Sequence, residues 1–101
     1  MKNIVLFGGG NIAQAIIEGL IKSGYKRNKI FYVDRNIKNQ KKLSKLRIKN
    51  FKKYRSEKID LFILAVKPKD ALRAYREIIE NYKGRKIISF VAGIKSKKYL
   101  K

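Results

Sequence analysis

Ile4-Val5-Leu6-Phe7-Gly8-Gly9-Gly10-Asn11-Ile12-Ala13 is the stretch that decides how this chain folds. Four apolar residues run without a polar interruption, as a strand buried on both faces of a parallel sheet does. Three glycines follow at once. After them Ile12, Ala13, Ile16, Ile17, Leu20 and Ile21 recur at helical spacing. Lys22 falls in the last turn of that helix, and Gly24 stands where a C-terminal cap belongs.

Three more runs of the same kind lie downstream: Ile30-Phe31-Tyr32-Val33, Leu61-Phe62-Ile63-Leu64-Ala65-Val66 and Ile87-Ile88-Ser89-Phe90-Val91. Each is short, continuous and rich in β-branched and aromatic residues. Between them the pattern turns helical. Asn36 is placed to cap a weak helix carrying Ile37, Leu43 and Leu46. Pro68 opens another, with Asp70 suited to its positive end. Ala71, Leu72, Tyr75, Ile78, Ile79 and Tyr82 give that helix one stripe, and Gly84 stops it. Ile48 to Phe51 reads as a short edge strand. Strands that alternate with helices imply right-handed crossovers and an open parallel sheet with helices on both faces. The expected class is therefore α/β, Rossmann-type, truncated before the last strands. One domain, 1–101, accounts for the whole length.

Within this setting Gly8, Gly10 and Ala13 form a G-x-G-x-x-A pattern, which alone is weak evidence. Here it follows a strand and opens a helix. The first glycine permits the tight turn, the second lets a pyrophosphate approach the backbone, and the small third residue packs helix on strand. The helix N-terminus then points its N–H groups at the phosphates. The bland alternative is a glycine-rich turn with no ligand. A second marker stands at the end of the second run, Val33-Asp34-Arg35-Asn36. An acid there suits the ribose hydroxyls of NAD, while a nearby Arg suits the 2′-phosphate of NADP. Asp34 favours the first unless its side chain turns away. Arg35, Asn36 and Lys38 favour the second, so NAD against NADP stays open. Asp34 is equally readable as a helix-capping acid.

Composition excludes several classes. The 101 residues contain neither His nor Cys, so no disulfide framework and no thiolate or imidazole metal site is available. No apolar run approaches the ~20 residues of a membrane span. The N-terminus lacks the apolar region and cleavage site of a signal peptide, so the cytoplasm is the default location. Lys and Arg number 27 against 7 acids, a formal charge of +20. From Arg35 to Lys58 nearly every second residue is Lys or Arg, with Glu57 the only acid. A polyanion partner would explain the charge. So would a composition bias toward residues with A/T-rich codons, which Lys, Ile, Asn, Tyr and Phe share. Most aromatics belong to strands and helices rather than to an exposed basic patch, which argues against nucleic acid.

Three segments, taken together, resemble the pyrroline-5-carboxylate reductases. Phe7-Gly8-Gly9-Gly10-Asn11-Ile12-Ala13-Gln14-Ala15-Ile16-Ile17-Glu18-Gly19-Leu20 is similar to that family's glycine loop and following helix, with Ile12 where Met or Leu is usual. Leu64-Ala65-Val66-Lys67-Pro68 matches its Leu-Ala-Val-Lys-Pro. Ser89-Phe90-Val91-Ala92-Gly93-Ile94 is similar to its Ser-x-x-Ala-Gly-Ile/Val. The resemblance implies a cofactor site of Phe7, Gly8, Gly9, Gly10, Asn11 and Ile12 at the pyrophosphate and Asp34, with Arg35 beside it, at the adenosine ribose. It also implies Ala65, Val66, Lys67 and Pro68 along the cofactor, and Ala92 and Gly93 near the nicotinamide.

The resemblance further implies hydride transfer from NADP(H) or NAD(H), with NADP(H) slightly favoured, to the cyclic imine 1-pyrroline-5-carboxylate, giving L-proline. The cofactor supplies the chemistry and the protein positions. The family's helical C-terminal domain, which carries the dimer interface and the substrate carboxylate pocket, has no counterpart here. Without it the 101 residues are expected to bind cofactor and to turn over poorly or not at all, and a homo-oligomer is expected only with that domain. The glycine usual before the third strand is replaced by Arg47, and the loop before Asp60 is short. No catalytic residue is assigned: Glu18 reads as a helix-surface residue, and Lys67 as a backbone contact. Two alternatives remain, a stand-alone nucleotide- or polyanion-binding module and another imine or ketone reductase.

Overall fold

In a computed structural model the chain is described at residues 2–51, 58–82 and 86–90. Strand β1 (Ile4–Phe7) leads into helix α1 (Asn11–Lys22), and β2 (Ile30–Val33) into α2 (Ile37–Lys45). Then come β3 (Lys49–Asn50), β4 (Leu61–Leu64), α3 (Pro68–Asn81) and β5 (Lys86–Ser89). The five strands form one sheet in the order β3-β2-β1-β4-β5. Every pairing is parallel, with Phe7 opposite Val33 on one side and Leu64 on the other.

Alternation along the strands builds two cores. Val5, Phe7, Phe31, Phe62 and Leu64 face α3 and pack with Ala71, Ala74, Tyr75 and Ile78. Ile4, Leu6, Ile30, Tyr32 and Ile63 face the other way, onto Ala13 and Ile17 of α1 and Leu43 of α2. The continuous apolar runs follow directly, because a residue on either face of a central parallel strand is buried. Phe51, 1% exposed, packs edge-on to Phe31 at a ring separation of 6.0 Å.

Two helix ends expected from the sequence have a physical explanation. The Gly24 and Tyr25 N–H groups donate to the carbonyls of Ile21 and Leu20 at 3.0 and 2.9 Å, with Gly24 at φ 96°. This double bond closes the last turn with a left-handed residue. At the start of α2, the Asn36 side chain accepts from the Asn39 N–H at 3.1 Å, the expected cap. The α2 terminus repeats the α1 closure without a glycine. Arg47 sits at φ 61°, and its N–H and that of Ile48 reach the Ser44 and Leu43 carbonyls at 2.9 and 3.0 Å. Gly84 lies outside the described residues.

The structure departs from the sequence expectations at several places. The third run pairs as a strand only through Leu64, because β1 turns away at Gly8 and Ala65 and Val66 enter the loop before α3. Ile12, Ile37 and Leu72 are 53%, 66% and 52% exposed rather than core. Each lies about 100° or more around its helix from the buried line set by Ala13, Leu43 and Ala71. Ala74 takes the inward position that Leu72 lacks. Strand β5 is buried on one face only: Ile87 packs on the α3-side core, while Ile88 and Phe90 are 46% and 47% exposed. Among the described residues it is the sheet's edge, and no described helix covers its other face.

Candidate functional site at the carboxyl edge of the sheet

Strands β1, β2 and β4 end side by side, so the three loops that follow them gather at one edge. They border a cleft of about 590 Å³. In doubly wound sheets such a crevice, beyond the carboxyl ends of the strands, is where ligands sit. Of the residues singled out from sequence, Phe7, Gly8, Gly9, Gly10, Asn11, Asp34, Arg35, Ala65, Val66 and Lys67 line it. Ile12 and Pro68 are not among the lining residues: both are exposed in the first turns of their helices. Ala92 and Gly93 lie outside the described residues.

The three glycines have separate tasks. Gly8 adopts φ 111°, and its N–H donates to the Val33 carbonyl at 2.8 Å. A Cβ there would stand 2.4 Å from the Ala65 carbonyl oxygen. The Gly8 backbone thus lies directly on the β4 loop. Gly9 is fixed from both sides. Its N–H donates to Asp34 Oδ2 at 2.6 Å, and its carbonyl accepts from Gln14 Nε2 at 2.8 Å. Gly10 faces open space: a Cβ there would meet no heavy atom within 4 Å. It is also the cap residue of α1, where no side chain accepts from the helix amides and the first turn holds no acid. The Gln14 N–H is the first to close a helical bond, to Gly10 at 2.9 Å. The amides before it have no carbonyl within the helix. Positive N–H ends therefore point into the cleft at the residue with the most room, a geometry that suits an anion.

Asp34 is bound inward. Its Oδ2 accepts from Gly9 and from Asn39 Nδ2 (2.9 Å), and its Oδ1 accepts from the Asn36 N–H at 2.7 Å. Its carbonyl accepts from Gln40 Nε2 at 2.7 Å. Arg35 beside it is exposed at the rim. Across the cleft, α3 supplies Lys69, Asp70, Arg73, Ala74 and Glu77. Asp70 holds Arg73 at 2.8 Å. Below the cleft, burial raises the Tyr32 phenol above its ordinary value, against a lowering hydrogen bond with Asn50, and the Asp34 carboxylate adds to the rise.

Sequence reasoning missed Gln14, Asn39, Gln40, Lys69, Arg73 and Glu77. A signal existed for some. Asp70, Arg73, Ala74 and Glu77 recur every three or four residues, which puts them on one helical face. Asn39 and Gln40 are uncharged polar residues in a segment otherwise dense in Lys.

Comparison with known proteins bears on the fold and the family. The Pasteurella multocida pyrroline-5-carboxylate reductase is 31% identical over 100 residues, covering 92% of this chain and 36% of that protein. Pyrroline-5-carboxylate reductase 2 of Bacillus subtilis is 28% identical over 99 residues, covering 93% of the chain and 36% of that protein. Among solved structures, a Coxiella burnetii pyrroline-5-carboxylate reductase superposes with a TM-score of 0.77 at 29% identity, over 98% of this chain and 40% of that one. The Plasmodium falciparum pyrroline carboxylate reductase, solved with NADP bound, superposes with a TM-score of 0.78 at 20% identity, over 97% and 36%. The chain thus spans little more than a third of the length of the curated relatives it matches. Residues 3–93 match the family described as NADP oxidoreductase coenzyme F420-dependent, and with nine-tenths of its length inside that match the chain belongs to this family.

Proposed function

We propose that this chain is the cofactor-binding part of an NADP(H)- or NAD(H)-dependent pyrroline-5-carboxylate reductase. The observation that carries the reading is the glycine loop: Gly8 and Gly9 are fixed against β4 and Asp34, and Gly10 stands open at the uncapped start of α1. A pyrophosphate fits there because backbone amides reach it and no side chain intervenes. Phe7 to Asn11 hold the pyrophosphate, Asp34 and Arg35 border the adenosine ribose, and Ala65 to Lys67 run along the cofactor. Ile12 contributes its backbone amide at the helix start, and Pro68 fixes the exit of the β4 loop. Ala92 and Gly93 belong to the nicotinamide side. Exposed cations at Arg35 and Lys69 favour the phosphorylated cofactor, NADP(H).

When bound, the cofactor would supply a hydride to the imine carbon of 1-pyrroline-5-carboxylate and leave oxidised, while a proton from solvent on the ring nitrogen would complete L-proline. The chain's own residues bind and orient the donor. Residues 1–101 form one cofactor domain, and the imine pocket and subunit interface belong to a helical domain beyond them. Calorimetric titration of the 101-residue chain with NADPH tests the reading. Saturable one-to-one binding below about millimolar concentration is expected. No binding of NADPH or NADH at millimolar concentration would overturn it. Turnover of the imine by the chain alone would overturn the assignment of the substrate pocket to another domain.

A further inference from the structure

We infer that Asp34 is a positioning residue, which holds the glycine loop in its binding shape, and that it does not discriminate NADH from NADPH. The inference rests on the proposed cofactor reading and deepens it. An ionised carboxylate offers about four acceptor positions. Three are taken here by donors of the chain itself: the Gly9 N–H, the Asn36 N–H and Asn39 Nδ2, at 2.6, 2.7 and 2.9 Å. Gly9 also lies against the group. A Cβ on Gly9 would come 3.0 Å from Asp34 Oδ2, 2.8 Å from the buried Leu43 Cδ1 and 3.2 Å from Asn39 Cβ. Gly9 therefore rests on a floor made of Asp34 and the first turns of α2.

The consequence is geometric. Gly9 links Gly8 to Gly10, so the direction of the open amides at the start of α1 depends on where Gly9 is held. Charge-assisted hydrogen bonds are the stronger kind, and a carboxylate that accepts several of them is held firmly. A carboxylate pointed outward to read ribose hydroxyls would repel a 2′-phosphate. One turned under the loop, with three of its acceptor positions filled by donors of the chain, leaves the rim to Arg35. Asn39 is part of the same device: it caps nothing itself, but its side-chain amide fixes Oδ2 beneath Gly9.

The test is the affinity of Asp34→Ser and Asn39→Ala for NADPH and NADH, together with the Gly9 amide proton resonance of the unliganded chain. The Asn39 variant leaves the carboxylate in place, so it decides the matter if the Asp34 variant does not fold. Expected is an equal loss for both cofactors, about tenfold for Asp34→Ser and smaller for Asn39→Ala, with their ratio held within about twofold. The Gly9 amide, at low field in the wild type through its bond to a carboxylate, moves upfield in Asp34→Ser. A loss confined to NADH, with NADPH unchanged or tighter, overturns the inference, because it marks a ribose reader. Unchanged affinities with an unmoved Gly9 amide overturn it as well. If the wild type binds neither cofactor, the functional reading fails, and the Gly9 amide alone decides whether Asp34 holds the loop.

Discussion

Gly8 and Arg47 both hold the backbone at positive φ, 111° and 61°, yet one position requires glycine and the other is occupied by a long charged side chain. At the end of α2, Arg47 makes the same double closure as Gly24 makes at the end of α1. Its side chain is exposed, so only the backbone conformation is unfavourable. At Gly8 the neighbour is the difficulty: the β4 loop carbonyl occupies the place of any Cβ. Unfavourable dihedrals are a local, bounded cost. Close approach of two backbones adds a further cost, since each is tied to a neighbouring strand, Gly8 N–H to the Val33 carbonyl and Ala65 N–H to the Phe7 carbonyl. The glycine loop is thus specified by what surrounds it, and the helix end by its own bonds.

The largest effect expected from this contrast is at Gly8. Gly8→Ala should lower unfolding free energy by about 3 kcal/mol or more, read from urea denaturation, because overpacking adds to the strained φ. A loss below about 1 kcal/mol would show that the β4 loop yields, and the contrast with Arg47 would disappear. Gly10→Ala separates stability from binding. Its extended backbone and open surroundings limit the stability loss to about 1 kcal/mol, the difference between glycine and alanine as a helix cap. Affinity for NADPH should fall tenfold or more, as the methyl group enters the pyrophosphate's space. Equal NADPH affinity in wild type and variant would remove Gly10 from the site.

Arg47→Gly should stabilise the chain by about 0.5–1 kcal/mol in the same denaturation experiment. The left-handed conformation costs a non-glycine residue about 1–2 kcal/mol, and glycine returns part of that as backbone entropy. A loss instead would mean that the Arg47 side chain contributes more than its backbone costs. The smallest effect is electrostatic and lies under the cleft. Tyr32 has its phenol pKa raised in the folded chain, chiefly by burial, so the fold favours its neutral form. That contribution is complete below the ordinary value of 10.0 and is lost as pH rises through the folded value. Stability should therefore fall as pH rises past 10.0, and Tyr32→Phe should flatten part of the slope. Tyr25 is raised in the same sense, by burial first and then by Asp60, and accounts for a further part.

Much of this was legible from residue order. The β1 and β2 runs have the bounds expected, and β3 sits at the edge where a short polar-rich strand belongs. Asn36 and Gly24 cap their helices as their residue types imply. The exposed positions were less legible. Ile12, Ile37 and Leu72 fit a helical stripe loosely, and nothing in their identity says that Ala13, Leu43 and Ala71 define the inward line. The α3 wall of the cleft was hidden for a related reason. Nothing in the sequence joins Lys69, Arg73 and Glu77 to the cleft until the sheet brings that face beside Asp34 and Arg35.

The sequence by itself determined the strand-loop-helix order, the parallel sheet and the glycine loop's place at the carboxyl edge, because buried parallel strands and glycine turns are local patterns. Only the tertiary structure decided what each glycine does and where the Asp34 carboxylate points. Val33, Asp34, Ala65 and Gly8 are distant in sequence, and their contacts exist only once β1, β2 and β4 lie in register. An acid at the end of β2 is compatible with facing a ligand or bracing a loop. The choice between them is made by Asn39, Leu43 and Gly9, which α2 and the glycine turn carry to it.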